Sequence, residues 1–213
     1  MKKKPIILIG AGGHCHSVVD VIESEGTFEI RGLIDLPHRI GEKVYGYEII
    51  ASDDMLEDVI KEFPFYLITL GQEKLPYLRV RYYNKLEDFG AQLITLISPF
   101  SRVSTRTVIG KGTVIMHNAI INSGVKIGNN CIIHTGAIVE HDCVIENHVQ
   151  ISTSAVLNGN VNVSEQSFIG SNAVLKQSIK IGKQTIIGAG SVITKSYGDN
   201  LVLAGNPARE LME

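Results

Sequence analysis

The sequence predicts two domains in one chain: a small α/β domain over residues 1–96 and a parallel β-helix over residues 97–213. Three features predict them. A branched aliphatic residue recurs at every sixth position from Ile97 to Ile193, turn formers lie between those positions, and a glycine cluster follows the first apolar strand. With 213 residues, 44% of them hydrophobic, the chain is long enough to bury two small cores. A formal charge of -2 with scattered lysines and arginines provides no basic field for a phosphate backbone, which argues against nucleic acid as a partner. The basic start Met1-Lys2-Lys3-Lys4 precedes an apolar run, Pro5 to Ile9, that is too short for a secretory leader. No segment approaches the roughly 20 apolar residues of a membrane helix, so the expectation is a cytoplasmic protein without membrane insertion. Cys15, Cys131 and Cys143 are odd in number and lack metal-type spacing, against both a disulfide framework and a zinc site.

From the N-terminus, Pro5-Ile6-Ile7-Leu8-Ile9 reads as a buried strand running into Gly10-Ala11-Gly12-Gly13 and a helix from about Cys15 to Glu25. Glycines at such a turn let a phosphate or ribose approach backbone N–H groups at the helix start; the competing reading is a plain tight turn. A second strand, Glu29 to Ile34, ends at Asp35, where a Rossmann-like unit places an acid near a ribose or base. The third glycine of the dinucleotide fingerprint is missing. Phe65 to Leu70 reads as a third strand, followed by Gly71 and a helix through Leu75 to Phe89, for a sheet of three or four strands.

The second half is governed by the period. Seventeen consecutive positions, Ile97, Val103, Ile109 and so on to Ile193, are Ile, Leu or Val. These types make up roughly three tenths of the chain, so chance would produce the run about once in a billion sequences, and the period is real. Four residues after these positions stands a small or β-branched residue such as Thr113, Ala119, Cys131, Ala155 or Ser191, with turns such as Gly110-Lys111-Gly112 between. Six residues fit a short strand plus a corner, three times per triangular coil, with coils stacked about 4.8 Å apart and the aliphatic residue pointing inward.

This pattern resembles the hexapeptide-repeat acyltransferases, whose prism winds left-handed against the usual crossover rule. The resemblance implies a left-handed parallel β-helix. Combined with Gly10-Ala11-Gly12-Gly13-His14 in front, it resembles one branch: bacterial sugar acetyltransferases acting on UDP-4-amino sugars in bacillosamine synthesis, on GDP-perosamine, or on sialic acid. It implies that the front domain holds a nucleotide-linked sugar, a UDP-sugar being the expectation, with Gly12, Gly13, His14 and Asp35 near it. Relatives that bind UDP-sugars often carry two consecutive acids where this chain reads Asp35-Leu36-Pro37. His16 has no assigned role.

Acyl transfer from a thioester needs a base for the attacking amine or hydroxyl, and histidine suits neutral pH. Of the four histidines in the repeat, His117, His134, His141 and His148, the segment Val139-Glu140-His141-Asp142-Cys143 matches the family's catalytic Glu-His-acid sequence. His141 is thus the implied base, with Asp142 as orienting partner and Glu140 in reserve; the alternative is a solvated corner histidine. Relatives more often carry glutamate at the Asp142 position. A zinc site of the kind found in carbonic anhydrases of this fold is disfavoured, because His134, His141 and His148 are seven apart in a six-residue repeat and cannot stack.

Leu203-Ala204-Gly205-Asn206-Pro207-Ala208-Arg209 resembles the segment closing the prism in acetyl-CoA-using members. Gly159 matches a family glycine whose N–H faces the thioester carbonyl, Ala189 lies in a segment lining the CoA groove, and Gln150 stands where some relatives have a second histidine near the acetyl group. Family members are trimers with active sites between prisms, so a homotrimer is the expectation. The reading is N-acetylation of the 4-amino group of a nucleotide-linked amino sugar. O-acetylation of sialic acid or another hydroxyl acceptor, and a non-catalytic nucleotide-sugar-binding protein, stay open beside it. Transfer from acyl carrier protein is disfavoured by the short tail.

Overall fold

The computed structural model describes residues 3–72 and 74–211; Met1 and Lys2 of the basic start lie outside them, as do Glu73, Met212 and Glu213. Two compact units emerge, Met1–Gly71 with Tyr77–Leu96, and Gln72–Pro76 with Ile97–Glu213.

The first unit is an α/β sandwich. Its elements are β1 (Lys4–Ile9), α1 (Gly13–Glu25), β2 (Phe28–Asp35), β3 (Lys43–Val44), β4 (Tyr47–Ser52), α2 (Leu56–Glu62), β5 (Phe65–Ile68), α3 (Tyr77–Asp88) and β6 (Gln92–Leu93). They form a six-stranded sheet in the order β3-β4-β2-β1-β5-β6, wider than the three or four strands expected. The difference comes from Tyr47–Ser52, which pairs in parallel with β2 and antiparallel with the two-residue β3, and from the two-residue β6 beside β5. Ile6, Ile7, Leu8 and Leu33 are fully buried, as the continuous apolar run of a central parallel strand requires. The strand order reverses between β1 and β5, so the loops after these two strands, Gly10–Gly12 and Thr69–Gly71, diverge and leave a crevice. Gly10, at φ 101°, must be glycine: a β-carbon there would stand 2.4 Å from the Leu70 side chain.

The second unit is a left-handed parallel β-helix of seventeen two-residue strands, β7 (Leu96–Ile97) to β23 (Val192–Ile193). Every strand from β7 to β20 pairs in parallel with the one eighteen residues on, as Ile138 with Val156 and Val139 with Leu157. The second residue of each strand is the aliphatic one. From Ile115 to Ile193 that row is buried to within 3% of complete, while Ile97 is 37% exposed, because the first coil has no coil stacked on its outer side. At several polar small positions the side chain donates to a carbonyl of the next coil: Thr113 Oγ1 to Gly128 at 2.8 Å, Ser167 Oγ to Gly182 at 2.7 Å, Cys143 Sγ to Asn158 at 3.2 Å.

The corners have one backbone rule. The residue three after each inward aliphatic adopts positive φ from Gly112 to Gly190, at four glycines and ten other residues including Asn118, Asp142 and Asn160. Asn and Asp tolerate this left-handed conformation better than most side chains. The prism ends in a hairpin, β24 (Val202–Gly205) and β25 (Ala208–Glu210), whose Leu203 and Ala208 are buried over the last coils. Among the described residues no helix is long and apolar enough to cross a membrane.

Removing side-chain volume should cost differently along the prism. Ile151→Ala is expected to lose about 2–5 kcal/mol by urea denaturation, and Ile97→Ala less than about 1 kcal/mol; equal losses would contradict the open first coil.

Candidate active site

One edge of the prism, at the corner after the strand Ile138–Val139, carries Glu140, His141 and Asp142 in the first, second and third positions past the inward Val139. Corner geometry decides which acid meets the histidine. Asp142 takes the left-handed backbone of the corner, at φ 60°, with its N–H bonded to Ser123 O at 3.1 Å. Its Oδ2 lies 2.9 Å from His141 Nδ1. Glu140 accepts instead from Asn122 Nδ2 at 2.7 Å, in the same position of the preceding coil. The shorter arm of aspartate therefore reaches the ring directly. In the neutral ring, Nδ1–H donates to Asp142 and Nε2 is left as the proton acceptor.

Gly159 stands eighteen residues after His141, directly along the same edge. A β-carbon there would lie 2.5 Å from His141 Nε2. Its φ is not in the left-handed region, so the demand for glycine comes from the imidazole alone. In the single chain the His141 and Asp142 side chains are 65% and 67% exposed.

Ala189 and Gln150 belong elsewhere in the chain. Ala189 is exposed at the corner after Ile186–Ile187, and Gln150 lies on the face of Ile133, Ile151 and Ile169. Gln150 is 5% exposed, and its Nε2 donates to Gln72 O and Ser152 Oγ, both at 3.2 Å. Those acceptors fix the amide orientation and leave Gln150 Oε1 buried without a partner. Within one chain, then, Gly159 joins His141 and Asp142, whereas Gln150 and Ala189 do not.

At the other site, Gly12 is the N-cap of α1 and Gly13 its first residue, both exposed. Neither has positive φ, and a β-carbon on either would meet nothing within 4 Å. Packing and backbone conformation thus leave these glycines unexplained, and the open space in front of the helix N-terminus is what their missing side chains provide. His14 is half-buried near Gly71, where a β-carbon would stand 3.4 Å from the His14 Cβ. Asp35 organises the turn itself: Oδ2 accepts from Ala11 N–H at 2.6 Å and pairs with Arg39 Nη1 at 3.1 Å, and Oδ1 accepts from Leu36 N–H at 2.7 Å.

Cys143 follows Asp142 but points into the prism, fully buried, and burial pushes its thiol up to about 11, which removes it as a nucleophile at neutral pH. His148 is buried, with Nδ1 2.9 Å from Asn130 Nδ2. Among the described residues no group of three or more His, Cys, Asp or Glu is placed to hold a metal ion. The sequence reading missed Asn122 as the partner of Glu140; the eighteen-residue coil was the signal that would have found it.

A histidine–carboxylate pair on the edge of a hexapeptide prism, with a glycine holding space at the free ring nitrogen, defines an acyltransferase of the hexapeptide-repeat class. Family models agree: a PglD N-terminal domain matches residues 5–86, and the bacterial transferase hexapeptide (six repeats) matches residues 106–141 and 160–195. The acetyltransferase domain of PglB from Neisseria gonorrhoeae, solved in complex with acetyl coenzyme A, is 32% identical with a TM-score of 0.92, over 99% of this chain and 100% of that one. A histidine-to-alanine variant of GDP-perosamine N-acetyl transferase from Caulobacter crescentus, in complex with CoA and GDP-perosamine, is 27% identical with a TM-score of 0.92, over 98% and 97% of the two chains. WeeI from Acinetobacter baumannii is 27% identical with a TM-score of 0.87, over 98% and 100%. A search of curated proteins gave no significant match. The chain belongs to the hexapeptide-repeat sugar acetyltransferases that carry a PglD N-terminal domain, and it is an acetyl-CoA-dependent enzyme.

Gly159→Ala is expected to push the His141 ring aside and lower acetyl transfer about a hundredfold, while the urea midpoint moves little because the ring is exposed and free to turn. Unchanged turnover would show that the ring position beside Gly159 is not the working one.

Proposed function

We propose that this enzyme N-acetylates the 4-amino group of a nucleotide-linked amino-dideoxy sugar in the cytoplasm, as a homotrimer, with the nucleotide held by the α/β unit and the chemistry carried out by the β-helix. The observation that carries the reading is the His141–Asp142 pair with Nε2 left open beside Gly159. In the step proposed, His141 Nε2 takes a proton from the sugar amine as its nitrogen bonds to the acetyl carbonyl carbon of acetyl-CoA. The carbon–sulfur bond breaks, and the departing thiolate takes up a proton to leave as free CoA. Asp142 holds the ring and stabilises the imidazolium. Glu140, tied to Asn122, supports the corner instead of the ring.

Transfer is direct. Cys143, next to the pair in sequence, is buried and protonated and faces into the prism. The Gly159 N–H is the oxyanion donor in this reading. Gln150 Oε1, an orphaned buried acceptor, suits an amide N–H of acetyl-CoA, and Ala189 lines the groove; both reach the reacting group from a neighbouring chain of the trimer. The same neighbour covers the His141 edge, which the single chain leaves open to water. Gly12, Gly13 and His14 receive the diphosphate end of the sugar nucleotide at the α1 N-terminus, with Asp35 holding the loop in shape.

Thiol release from acetyl-CoA is the direct assay, run with UDP-4-amino sugars, GDP-perosamine and free sialic acid as acceptors. Turnover is expected with a nucleotide-linked 4-amino sugar, and His141→Ala is expected to lower it by about 10²–10⁴-fold. Turnover with sialic acid alone would move the reaction to O-acetylation, and none with any acceptor would point to an acceptor outside this panel.

Gly12→Ala separates the loop from the fold. Stability should stay within about 1 kcal/mol, since the added carbon meets nothing, while the KM for the sugar nucleotide should rise at least about tenfold. An unchanged KM would return Gly12 to a plain turn.

A further inference from the structure

The α/β unit contains a cavity of about 290 Å³ at the carboxyl ends of β1, β2 and β4, roofed by α3. Its walls are apolar: Ile9, Ile34 and Leu70 from the strand side, Leu78 and the Tyr82 ring from the helix. A slot of that size and character suits a flat heterocycle. Polar groups are few, so each matters for recognition.

Two acids reach the cavity, and they are not equivalent. Asp35 has its carboxylate filled by the N–H groups of Ala11 and Leu36 and by Arg39. Asp53 is differently engaged. Its Oδ2 faces Arg81 Nη2 at 3.4 Å, a long ion pair between side chains 30% and 64% exposed. Its backbone carbonyl is anchored by Lys85 Nζ, which fixes where the residue sits without using the carboxylate. Burial, with the Asp53 charge alongside, raises the Tyr82 phenol, so this hydroxyl keeps its proton beside the acid. The cavity edge therefore presents a carboxylate acceptor next to a guanidinium donor. Such a loose, solvent-screened pair opens to an incoming ligand at little cost.

Resting on the nucleotide-sugar reading above, we infer that Asp53 and Arg81 read the base of the bound nucleotide and select guanine. Guanine offers two adjacent donors, N1–H and the N2 amino group, which match the two oxygens of one carboxylate, and beside them O6, which takes a guanidinium N–H. Uracil presents O2, N3–H and O4 in turn, so a carboxylate that accepts from N3–H also meets a carbonyl oxygen. Adenine and cytosine each bring a single amino group and leave the second carboxylate oxygen unmatched. On this inference the base is guanine where the family resemblance implied uridine: Asp35 is followed by Leu36 and is held by its own loop, and the second acid at the cavity, Asp53, comes from the end of β4.

Isothermal titration of the full chain with GDP, UDP, ADP and CDP tests this. GDP is expected to bind at least about tenfold tighter than the other three. Asp53→Asn should cut the GDP-to-UDP ratio at least about fivefold, since its amide turns a donor toward guanine's donors, while acetyl-CoA affinity stays unchanged as the control for folding. Arg81→Gln, at an exposed side chain, gives a second reading, with a smaller fall in the same ratio. Preference for UDP, ADP or CDP in the parent chain, or a ratio untouched by both substitutions, would overturn the guanine assignment and leave the nucleotide-sugar reading standing. Failure of all four diphosphates to bind would overturn both.

Discussion

Everything in the second unit depends on the inward aliphatic ladder. One Ile, Leu or Val per six residues, buried at each turn of the prism, fixes the register of every coil against the next. Each such side chain contributes about 1.5–3 kcal/mol on burial, and a one-residue slip would turn the whole row outward. That constraint is local in sequence yet sets long columns in space. The first, second and third positions past each aliphatic form separate columns along an edge, and the chemistry is written in three adjacent ones: Asn122 under Glu140, His141 under Gly159, and the left-handed Asp142 beside the ring.

The glycines show how differently one residue type is used in this chain. At Gly110 and Gly128 a β-carbon would strike backbone atoms of the next coil at 2.6 and 2.8 Å, so these are requirements of stacking. At Gly159 the nearest atoms are all on the His141 ring, so the requirement comes from the site. At Gly12 and Gly13 nothing excludes a side chain except what approaches from outside. Stacking glycines keep the ladder intact, the site glycine keeps a ring nitrogen accessible, and the loop glycines keep the helix end bare.

How much of this the sequence disclosed follows from the range of the interactions. The period gave the strand positions in the prism, because burial repeats with the coil and leaves a six-residue imprint from Ile97 to Ile193. It did not tell Glu140 from Asp142 as the partner of His141, because that choice lies in a corner torsion, φ 60° at Asp142, which hydrophobicity does not encode. In the first unit the strand Tyr47–Ser52 was missed, its alternation being short and mixed, and it is stabilised by pairing with β2. Asp35 was expected near a ribose or base; that its carboxylate bonds the backbone N–H of Ala11 twenty-four residues away is a contact between two loops that no local pattern announces.

Stacking by columns also restricts how the chain length of such a protein can drift. A deleted or inserted corner residue would move every downstream side chain to the wrong column, whereas gain or loss of a full eighteen-residue storey leaves each column in phase. Storeys beyond Gly159, toward the closing hairpin, are exchangeable in this sense. The single boundary between the storey of His141 and that of Gly159 is not, since a new storey placed there would set whatever residue it carried at that position against the imidazole. Divergence among relatives should therefore be quantised in height above that seam and frozen across it.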